Sequence, residues 1–508
     1  MTASANCLQG FYAQARRHPR RAAIIQGLGR SRRALSFGEL AGRVPRLAQG
    51  LLELGLKKGD RVLIFVPMSL ELYECVLACF HAGLSAVFVD AWAGRARLDA
   101  AVRLAAPRAL LAIPKAGILR LLSPSMRAIP LQRLVSPQLF PVSRLFATSA
   151  AELEAVGAGD EALVTFTTGS TGAPKGAARS HGFLLAQGKA LIAAFGKPAA
   201  GNDMPTLPAF VLLNLGQGVT SVLPDFDPRK PAEIKPGRIL AQMKAESVVS
   251  SGGSPAFYER LADYGRIPLR RLYTGGAAVP PSLALKLQGA CDGKVYVVYG
   301  STEAEPIAHA GTQELIRASR QARPGLLPGK PKGLHLKIAQ PFDGPLAKLK
   351  ALARGQVGEI CVAGAHVQKS YLNDSEAEAR NKVHEGRLVW HRTGDAGYLD
   401  AQGRLFLMGR LQQRVLRQGK TWWSGEAERR VRELEGVSFA AYFGWQGKAW
   451  LCVELGRGTD AGLESQARQA LGPMPMDAFR AFKRLPRDPR HASKIDLEAL
   501  KLLLKAGA

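Results

Sequence analysis

The sequence of 508 residues predicts an α/β protein with a large N-terminal domain and a small α+β domain at its C-terminus. Up to Gly358, strand patterns alternate with helix patterns, which is typical of parallel sheets covered by helices. After Gly358 the strand patterns are short and separated by turns, and the C-terminal part mixes strands with charged helices. A chain of this length is too long for one compact core, so we expect domains over residues 1–409 and 410–508.

The predicted elements of the first domain follow one another in a regular order. A helix is expected over residues 35–56, because Ser36 can cap it and Glu39 lies three residues later. A glycine–aspartate turn leads into a strand over residues 61–66, and Gly83 ends the helix that follows. The same pattern of strand, turn and helix is expected around residues 161–166, 247–251, 271–274 and 294–298.

The charge of the chain is strongly positive, with a formal net charge of +28 at pH 7. Such a surface attracts nucleotides, acidic lipids and acidic proteins. Residues 100–151 contain no acidic side chain, and their basic residues are Arg103, Arg108, Lys115, Arg120, Arg127, Arg133 and Arg144. A solvated face explains this segment, and contact with a membrane or an acidic partner is the alternative. No aromatic and basic pattern typical of nucleic-acid binding is present, so nucleic acid is not an expected partner.

The sequence favours a cytoplasmic protein that crosses no membrane. Its most apolar stretch, residues 62–92, is interrupted by Glu71, Glu74 and His81, which a membrane-spanning helix tolerates poorly. The six cysteines form no CxxC pair and are expected to be reduced, packed thiols. Peripheral contact with the inner membrane stays open because of the basic segment.

Residues 167–176 carry the clearest chemical pattern in the sequence. They follow a predicted strand and contain three glycines, four hydroxyl side chains and one lysine. Glycines let the backbone approach a ligand, and successive amides can bind an anion. Because Pro174 precedes the lysine, the segment is not a Walker A loop. We predict a pyrophosphate-binding loop that uses Thr167, Thr168, Gly169, Ser170, Thr171, Gly172 and Lys175.

This loop resembles the signature of the acyl-adenylate-forming superfamily, which contains acyl-CoA synthetases, adenylation domains of peptide synthetases and luciferases. Three further segments match the family in order: Gly275-Gly276-Ala277-Ala278, Tyr299-Gly300-Ser301-Thr302-Glu303 and His391-Arg392-Thr393-Gly394-Asp395. The resemblance implies that adenine lies on the first segment and that Asp395 binds both ribose hydroxyls. It further implies that Thr302 bonds the phosphate, Glu303 holds Mg2+ bound to ATP, and Arg410 contacts ribose or phosphate. ATP and Mg2+ are the cofactors expected from this resemblance.

The resemblance also implies a fold and a moving part. The N-terminal domain would contain two stacked α/β subdomains and a β-rich one, and the C-terminal domain would be mobile. Within residues 489–496, Lys494 would bridge the carboxylate and the α-phosphate, because a cation offsets the repulsion between two reacting anions. The family's hinge residue is usually Asp or Lys, whereas this sequence has Gln412.

The acyl acceptor is less clearly marked than the ATP site. Many CoA-forming members have a His after a Pro-x-Phe sequence, and here Pro208-Ala209-Phe210 is followed by Val211. We expect the acyl group to lie near Phe210, Val211, Gly253, Ser254 and His309. His309 and His181 are the candidate bases for a hydroxyl nucleophile, although either could equally be a packed or surface histidine.

The sequence around Pro224, Gly253 and His491 resembles that of one branch of the superfamily, the β-lactone synthetases of bacterial long-chain olefin biosynthesis. The resemblance implies a long-chain 2-alkyl-3-hydroxy acid as substrate, whose own 3-hydroxyl displaces AMP. It also implies partner enzymes: a thiolase-like condensing enzyme, an NADPH-dependent reductase and an α/β-hydrolase-fold decarboxylase. A fatty acyl-CoA or acyl-carrier ligase is the alternative, and a non-catalytic adenylate-binding protein is disfavoured by Glu303, Asp395 and Lys494.

Overall fold

The computed structural model describes residues 4–89, 94–168, 174–196, 200–227, 233–321, 324–456, 462–487 and 495–506. Helices and strands are numbered in chain order over these residues. The helices are α1 Gln9–Arg17, α2 Phe37–Glu53, α3 Leu70–His81, α4 Arg95–Ala105, α5 Ala116–Leu122, α6 Pro124–Arg127, α7 His181–Phe195, α8 Pro208–Gln217, α9 Pro236–Ala245, α10 Pro255–Tyr264, α11 Pro281–Ala290, α12 Thr312–Arg320, α13 Ser375–Asn381, α14 Ser424–Val431, α15 Leu463–Leu471 and α16 Leu497–Ala506.

The strands are β1 Ala22–Gln26, β2 Arg33–Ser36, β3 Arg61–Phe65, β4 Ser85–Phe88, β5 Ala109–Ala112, β6 Leu131–Leu134, β7 Glu161–Thr168, β8 Pro174–Ser180, β9 Asn202–Pro205, β10 Ser221–Leu223, β11 Val248–Gly253, β12 Arg271–Gly275, β13 Lys294–Ser301, β14 Ala304–Gly311, β15 Leu326–Pro331, β16 His335–Ala339, β17 Gly358–Ala363, β18 Lys382–Glu385, β19 Leu388–Leu399, β20 Leu405–Arg410, β21 Val415–Arg417, β22 Lys420–Trp422, β23 Val437–Trp445, β24 Lys448–Leu455 and β25 Ala478–Phe482.

The first α/β layer is built on a six-stranded sheet in the order β6-β5-β3-β4-β7-β8. Its strands are parallel except for β8, which runs antiparallel to β7. Helices α2 and α3 cover one face and share a core with this sheet, in which Phe37, Leu47 and Phe80 are almost completely buried. The predicted alternation of strands and helices is confirmed here.

The second sheet has fourteen strands and joins two of the expected subdomains. Its centre is parallel, from β13 through β12, β11, β9 and β10 to β1, and helices α9 to α12 border its own core. Beyond β13 the pairing becomes antiparallel, through β14 and β15 to β20, β19, β17 and β16, with β18 pairing with β19. The β-rich region is therefore continuous with the second α/β sheet, because β15 pairs with β14 on one side and β20 on the other.

The C-terminal part is the expected α+β unit. A three-stranded sheet, β23-β24-β25, has α14 and α15 in the core on one face and α16 in the core on the other. This unit approaches the large sheet closely at Gly409, where a Cβ atom would lie 2.7 Å from the backbone nitrogen of Gly425. Two glycines thus permit the backbone of α14 to contact β20.

One sequence prediction is adjusted at its boundary. The helix expected from residue 35 begins at Phe37, because Leu35 pairs in β2, while Ser36 and Glu39 form the predicted capping box. Strand β20 ends at Arg410, the residue with which the predicted C-terminal domain begins.

Two further sequence predictions concern membranes and thiols. Among the described residues, no helix is both long and apolar enough to span a membrane. The six cysteines are free thiols, and all except the half-buried Cys7 are buried, as the sequence indicated.

Candidate active site

The turn between β13 and β14 presents the two residues to which the sequence assigned the phosphate and the metal. Ser301 pairs with Ala304 across this hairpin, so Thr302 and Glu303 occupy its tip. The hydroxyl of Ser301 accepts a hydrogen bond of 3.2 Å from the backbone nitrogen of Glu303. Because a two-residue turn leaves its backbone little freedom, this contact constrains the backbone that carries the Glu303 side chain.

Segment 367–372 holds Glu303 from the opposite side. The Tyr371 hydroxyl donates a hydrogen bond of 3.3 Å to Glu303 Oε1, and the Gln368 backbone nitrogen donates one of 2.7 Å to the Glu303 carbonyl oxygen. Lys382, in β18, donates from its Nζ to the Gln368 carbonyl oxygen and places its ammonium 5.0 Å from the centre of the Tyr371 ring. A buried lysine thus fixes the segment that in turn fixes Glu303.

Positive charge surrounds this carboxylate. Burial lowers the pKa of Lys382 to about 7, although Glu303 and Glu378 act in the opposite direction. Burial also lowers the pKa of Lys175, against the attraction of Asp374 and Glu303. Burial disfavours the ionised form of Glu303, yet interactions with His391 and Lys382 and hydrogen bonds from the Glu303 backbone and Ser301 together lower its pKa. The site therefore holds an ionised carboxylate among ammonium groups, which suits an anionic ligand that carries a cation.

Strand β8 brings the first sheet to the same place. The Nζ of Lys175, in this strand, lies 5.9 Å from the centre of the Tyr371 ring. Tyr371 is the residue whose hydroxyl donates to Glu303. The buried Arg179 of β8 donates a hydrogen bond of 2.9 Å to the Thr302 carbonyl oxygen. The backbone nitrogen of Leu372 donates to the Gly176 carbonyl oxygen at 2.8 Å. Lys175 and Gly176, at the end of the predicted phosphate loop, are therefore neighbours of the hairpin tip, although they belong to a different sheet.

The predicted ribose residues form one hydrogen-bonded group. The Tyr299 hydroxyl donates to Asp395 Oδ2 at 2.8 Å, and Arg410 Nε lies 3.1 Å from Asp395 Oδ1. Asp395 and Arg410 are directly opposite on β19 and β20, and the Thr393 hydroxyl accepts from the Asp395 backbone nitrogen at 3.1 Å. A carboxylate has about four acceptor positions, so Asp395 retains capacity for a ribose hydroxyl beside these two partners.

The predicted adenine strip begins where β12 ends. Gly275 pairs with Val298 of β13, and a Cβ atom at Gly275 would lie 2.3 Å from the Val298 carbonyl oxygen. Gly276, which follows, has a φ of 81° and is exposed. The glycines are needed for close strand approach and for the turn, and they leave a surface without side chains beside Ala277.

Part of the predicted site lies outside the described residues. Gly169, Ser170, Thr171 and Gly172 are in this group, as is Lys494. Only the backbone pairing of Thr167 and Thr168 with β8 is described. The roles predicted for these residues stay predictions.

The residues expected near the acyl group serve largely to build the core. Val211, on α8, is completely buried in the core of the first layer, whereas Phe210 is half-buried. Ser254 caps α10, since its hydroxyl accepts from the Phe257 backbone nitrogen at 3.4 Å. A Cβ atom at Gly253 would lie 2.6 Å from the Thr206 hydroxyl oxygen. These four positions therefore offer an acyl chain little polar chemistry.

The two candidate histidines are separated from the nucleotide contacts. His309 pairs directly with Val298, so it lies on the face of the sheet opposite to Tyr299. Its ring packs 5.0 Å from that of Phe195, its Nδ1 is buried without a hydrogen bond, and burial lowers its pKa. His181 instead contacts Cys7 and Phe80, and burial lowers its pKa to about 4. Neither ring is hydrogen-bonded to any described residue that is predicted to bind ATP.

Three site residues were missed in the sequence: Tyr371, Lys382 and Arg179. None of them belongs to a recognised motif, and each acts on Glu303 or Thr302 across a large sequence separation, 68 residues for the Tyr371 hydrogen bond. The available signal was weak. It consisted of a lysine at the start of a short strand and an arginine that follows two alanines in β8.

The donor set around Glu303 fits a magnesium ion that arrives with ATP. Mg2+ in nucleotide sites is held by one or two carboxylates and by the phosphates themselves. In the described part of the chain, no group of three or more His, Cys, Asp or Glu side chains could hold a metal ion alone. A single oriented carboxylate is thus what the residues supply.

Comparison with known proteins assigns these features to one family. The sequence profile of the family described as AMP-binding enzyme matches residues 11–372. The olefin beta-lactone synthetase of Stenotrophomonas maltophilia (strain K279a) is 34% identical over 499 residues, which cover 92% of this chain and 90% of that protein. The feruloyl-CoA synthase of an Amycolatopsis species is 30% identical over 447 residues, covering 82% of each.

Solved structures agree on the fold over nearly the whole chain. The amide bond synthetase McbA from Marinactinospora thermotolerans superposes with a TM-score of 0.81 at 22% identity, covering 98% of this chain and 99% of that one. The O-succinylbenzoate coenzyme A synthetase MenE from Bacillus subtilis, in complex with ATP and magnesium ion, has a TM-score of 0.78 at 22% identity, covering 97% and 99%.

Proposed function

The chain belongs to the AMP-binding enzyme family, and we propose that it converts a long-chain 2-alkyl-3-hydroxy acid into a β-lactone. Adenylate formation is the activity of this class of ligase. The finer assignment depends on one observation, the 34% identity to an olefin beta-lactone synthetase over 92% of the chain. Many CoA-forming members have a histidine at the position of Val211, which is here a buried core residue. The valine agrees with a reaction that needs no CoA.

In the proposed first step, the carboxylate of the acid attacks the α-phosphorus of ATP, and pyrophosphate leaves. Asp395 and Tyr299 orient the ribose, and Lys175 and the 167–176 loop hold the departing phosphates. Lys494 offsets the repulsion between the two anions. Glu303 would hold the Mg2+ that arrives with ATP, and the ion would supply neutralisation of phosphate charge there.

In the proposed second step, the 3-hydroxyl oxygen of the same molecule attacks the acyl carbon. A carbon–oxygen bond forms, the bond between the acyl group and phosphate breaks, AMP leaves, and the hydroxyl proton is released. The nucleophile is tethered to the reacting group, so much of the entropic cost of bringing two molecules together is already met. Apolar surroundings that exclude water would disfavour hydrolysis of the adenylate.

We further propose that the C-terminal unit, residues 410–508, moves between these steps about Gln412. This residue is exposed and lies in a single helical turn, Leu411–Gln413, directly after the large sheet ends. Gln412→Pro, which restricts the backbone at this position, should slow the overall reaction while ATP binding is retained. An unchanged turnover would contradict a hinge at this residue.

The acyl acceptor is tested by incubating the protein with ATP, Mg2+ and a long-chain 2-alkyl-3-hydroxy acid, with and without CoA. AMP release and product mass are followed. A product with the mass of the acid minus one water, formed without CoA, supports the lactone. Strict dependence of product formation on CoA contradicts it. The similarity to a feruloyl-CoA synthase makes an acid–CoA ligase the alternative, so a fatty acid lacking the hydroxyl serves as the matched substrate.

A further inference from the structure

Exposed arginines and leucines lie together at the free edge of the first sheet. We call Arg120, Leu122, Arg127, Arg133 and Leu134 the arginine–leucine patch. They come from α5, α6 and β6, and all five side chains are exposed, with Leu122 at 54% and Leu134 at 40%. Strand β6 is the last strand in the order of this sheet and pairs with β5 on one side only among the described strands.

One glutamine connects the elements of the patch. Arg120 Nη1 donates to Gln132 Oε1 at 3.1 Å, and Arg133 Nη1 donates to the Gln132 carbonyl oxygen at 2.9 Å. The Gln132 amide nitrogen donates to the backbone carbonyl oxygens of Arg127, at 3.2 Å, and of Ile129, at 2.9 Å. The three elements that carry the arginines therefore meet at Gln132, so these residues are neighbours in space and not merely spaced along the sequence.

The positive charge of the patch is not neutralised by the protein. Among the described residues, Arg120, Arg127 and Arg133 have no carboxylate within 4.0 Å. In the same sheet, by contrast, Arg61 pairs with Glu161 at 2.7 Å. Asp99, the acidic residue that directly precedes residues 100–151, is buried and accepts hydrogen bonds from the hydroxyls of Ser123 and Ser125.

From this arrangement, we propose that the arginine–leucine patch binds an anionic lipid surface. The guanidinium groups complement acidic headgroups, and the exposed leucines between them can enter the boundary between headgroups and acyl chains. A further leucine, Leu139, is 65% exposed in the turn that follows β6, where Arg144 lies 5.9 Å from the Phe140 ring centre. Lipid binding by this surface is independent of which nucleophile accepts the acyl group.

A second copy of the chain suits the patch less well. In a symmetric pair the same surface meets itself, so three unpaired arginines would face three others. Arg133 also bends to the free edge of β6, where a charged side chain hinders strand addition. An acidic protein shares the charge complementarity but gives no role to the exposed leucines.

The proposal is tested by co-sedimentation of the full chain with vesicles of phosphatidylcholine alone or mixed in equal parts with phosphatidylglycerol. The chain should bind the mixed vesicles, and added salt should weaken binding. Each basic residue near an anionic surface contributes about 1 kcal/mol, so Arg120→Gln, Arg127→Gln and Arg133→Gln together should lower the partition coefficient about 100-fold. Replacing Leu122 and Leu134 by Ser should lower the partition coefficient but leave its dependence on salt unchanged.

The matched control neutralises three other exposed basic residues, Lys348, Lys350 and Arg354, in the β-rich region. It lowers the net charge by the same amount, so it separates a local surface from general attraction. Circular dichroism and thermal unfolding verify that each variant is folded. Equal loss in the patch variant and in the control, or binding to phosphatidylcholine alone that matches the mixed vesicles, would overturn the proposal. So would unchanged binding of the patch variant, which would leave an acidic protein as the candidate partner.

Discussion

The nucleotide side and the acyl side of the proposed site are built in different ways. On the nucleotide side, Glu303 and Asp395 are each held by hydrogen bonds from neighbouring elements and keep acceptor capacity for a ligand. On the acyl side, Val211 is buried in the core and Ser254 is used as a helix cap. Recognition of a polar nucleotide needs oriented polar groups, whereas an alkyl chain needs mainly space and apolar walls. Substitutions should therefore affect catalysis on one side and stability on the other.

The largest effect is expected for Lys494→Ala. If its ammonium stabilises the charge that develops during adenylation, the rate of pyrophosphate release should fall about 100–1,000-fold. Formation of lactone from a supplied acyl-adenylate should continue, because that step does not need the same cation. Lys505→Ala, at an exposed position of α16, is the matched control. A normal rate of pyrophosphate release from the Lys494 variant would remove it from the mechanism.

Asp395→Asn comes next. The substitution replaces a charged acceptor of two hydrogen bonds by an amide, and hydrogen bonds to charged groups contribute about 1.5–3 kcal/mol each. The KM for ATP should rise about 10–100-fold, and the loss of the Arg410 ion pair should add to the effect. Steady-state kinetics at saturating acid measure this. A KM that matches the unaltered protein would show that the ribose is bound elsewhere.

Lys382→Met tests whether a residue outside the family motifs supports the nucleotide side. Without its ammonium, the Gln368 carbonyl and the Tyr371 ring lose their cation, and Glu303 is positioned less firmly. The KM for the ATP–Mg2+ complex should rise about 10-fold with a smaller change in kcat, as for lost binding energy. The Mg2+ concentration needed for half-maximal activity should rise less in Lys382→Arg than in Lys382→Met, because arginine retains the charge.

The same lysine predicts a pH dependence of stability. Burial lowers the pKa of Lys382 to about 7 from 10.5, so the folded protein binds this proton more weakly than the unfolded chain does. The penalty of burying the ammonium is complete below about pH 7 and decreases as the pH rises toward the unfolded pKa. The free energy of unfolding, relative to Lys382→Met, should therefore increase between about pH 7 and pH 9 in urea titrations. A constant difference would contradict a buried ammonium.

Val211→Ala should have the smallest effect on catalysis and a measurable effect on stability. Truncation of a completely buried valine leaves a small cavity and should cost about 1–3 kcal/mol of unfolding free energy. The KM for ATP should not change, since Val211 lies in the core of the first layer. Leu185→Ala, at a position 37% exposed, should cost less than half as much. A large change in the KM for ATP would end the distinction between the two sides.

Much of the fold and the nucleotide side could be predicted because the signals are local. The capping box at Ser36, the strands of both sheets and the order of the motifs are all contained in short stretches of sequence. Asp395 and Arg410 were assigned separately, and the register of β19 and β20 places them directly opposite each other. The continuity of the β-rich region with the second sheet could not be predicted, because it depends on how β15 pairs on both of its edges.

The sequence by itself determined the family and predicted an ATP site with Glu303 and Asp395, because strand ends and turns carry these groups in recognisable order. Only the tertiary structure decided what holds them. Tyr299 reaches Asp395 across 96 residues, and Tyr371 reaches Glu303 across 68. It also placed His309 on the face of the sheet opposite to Tyr299, since side-chain direction follows strand register. Contacts at such separations arise from packing between elements, for which one sequence contains no local signal.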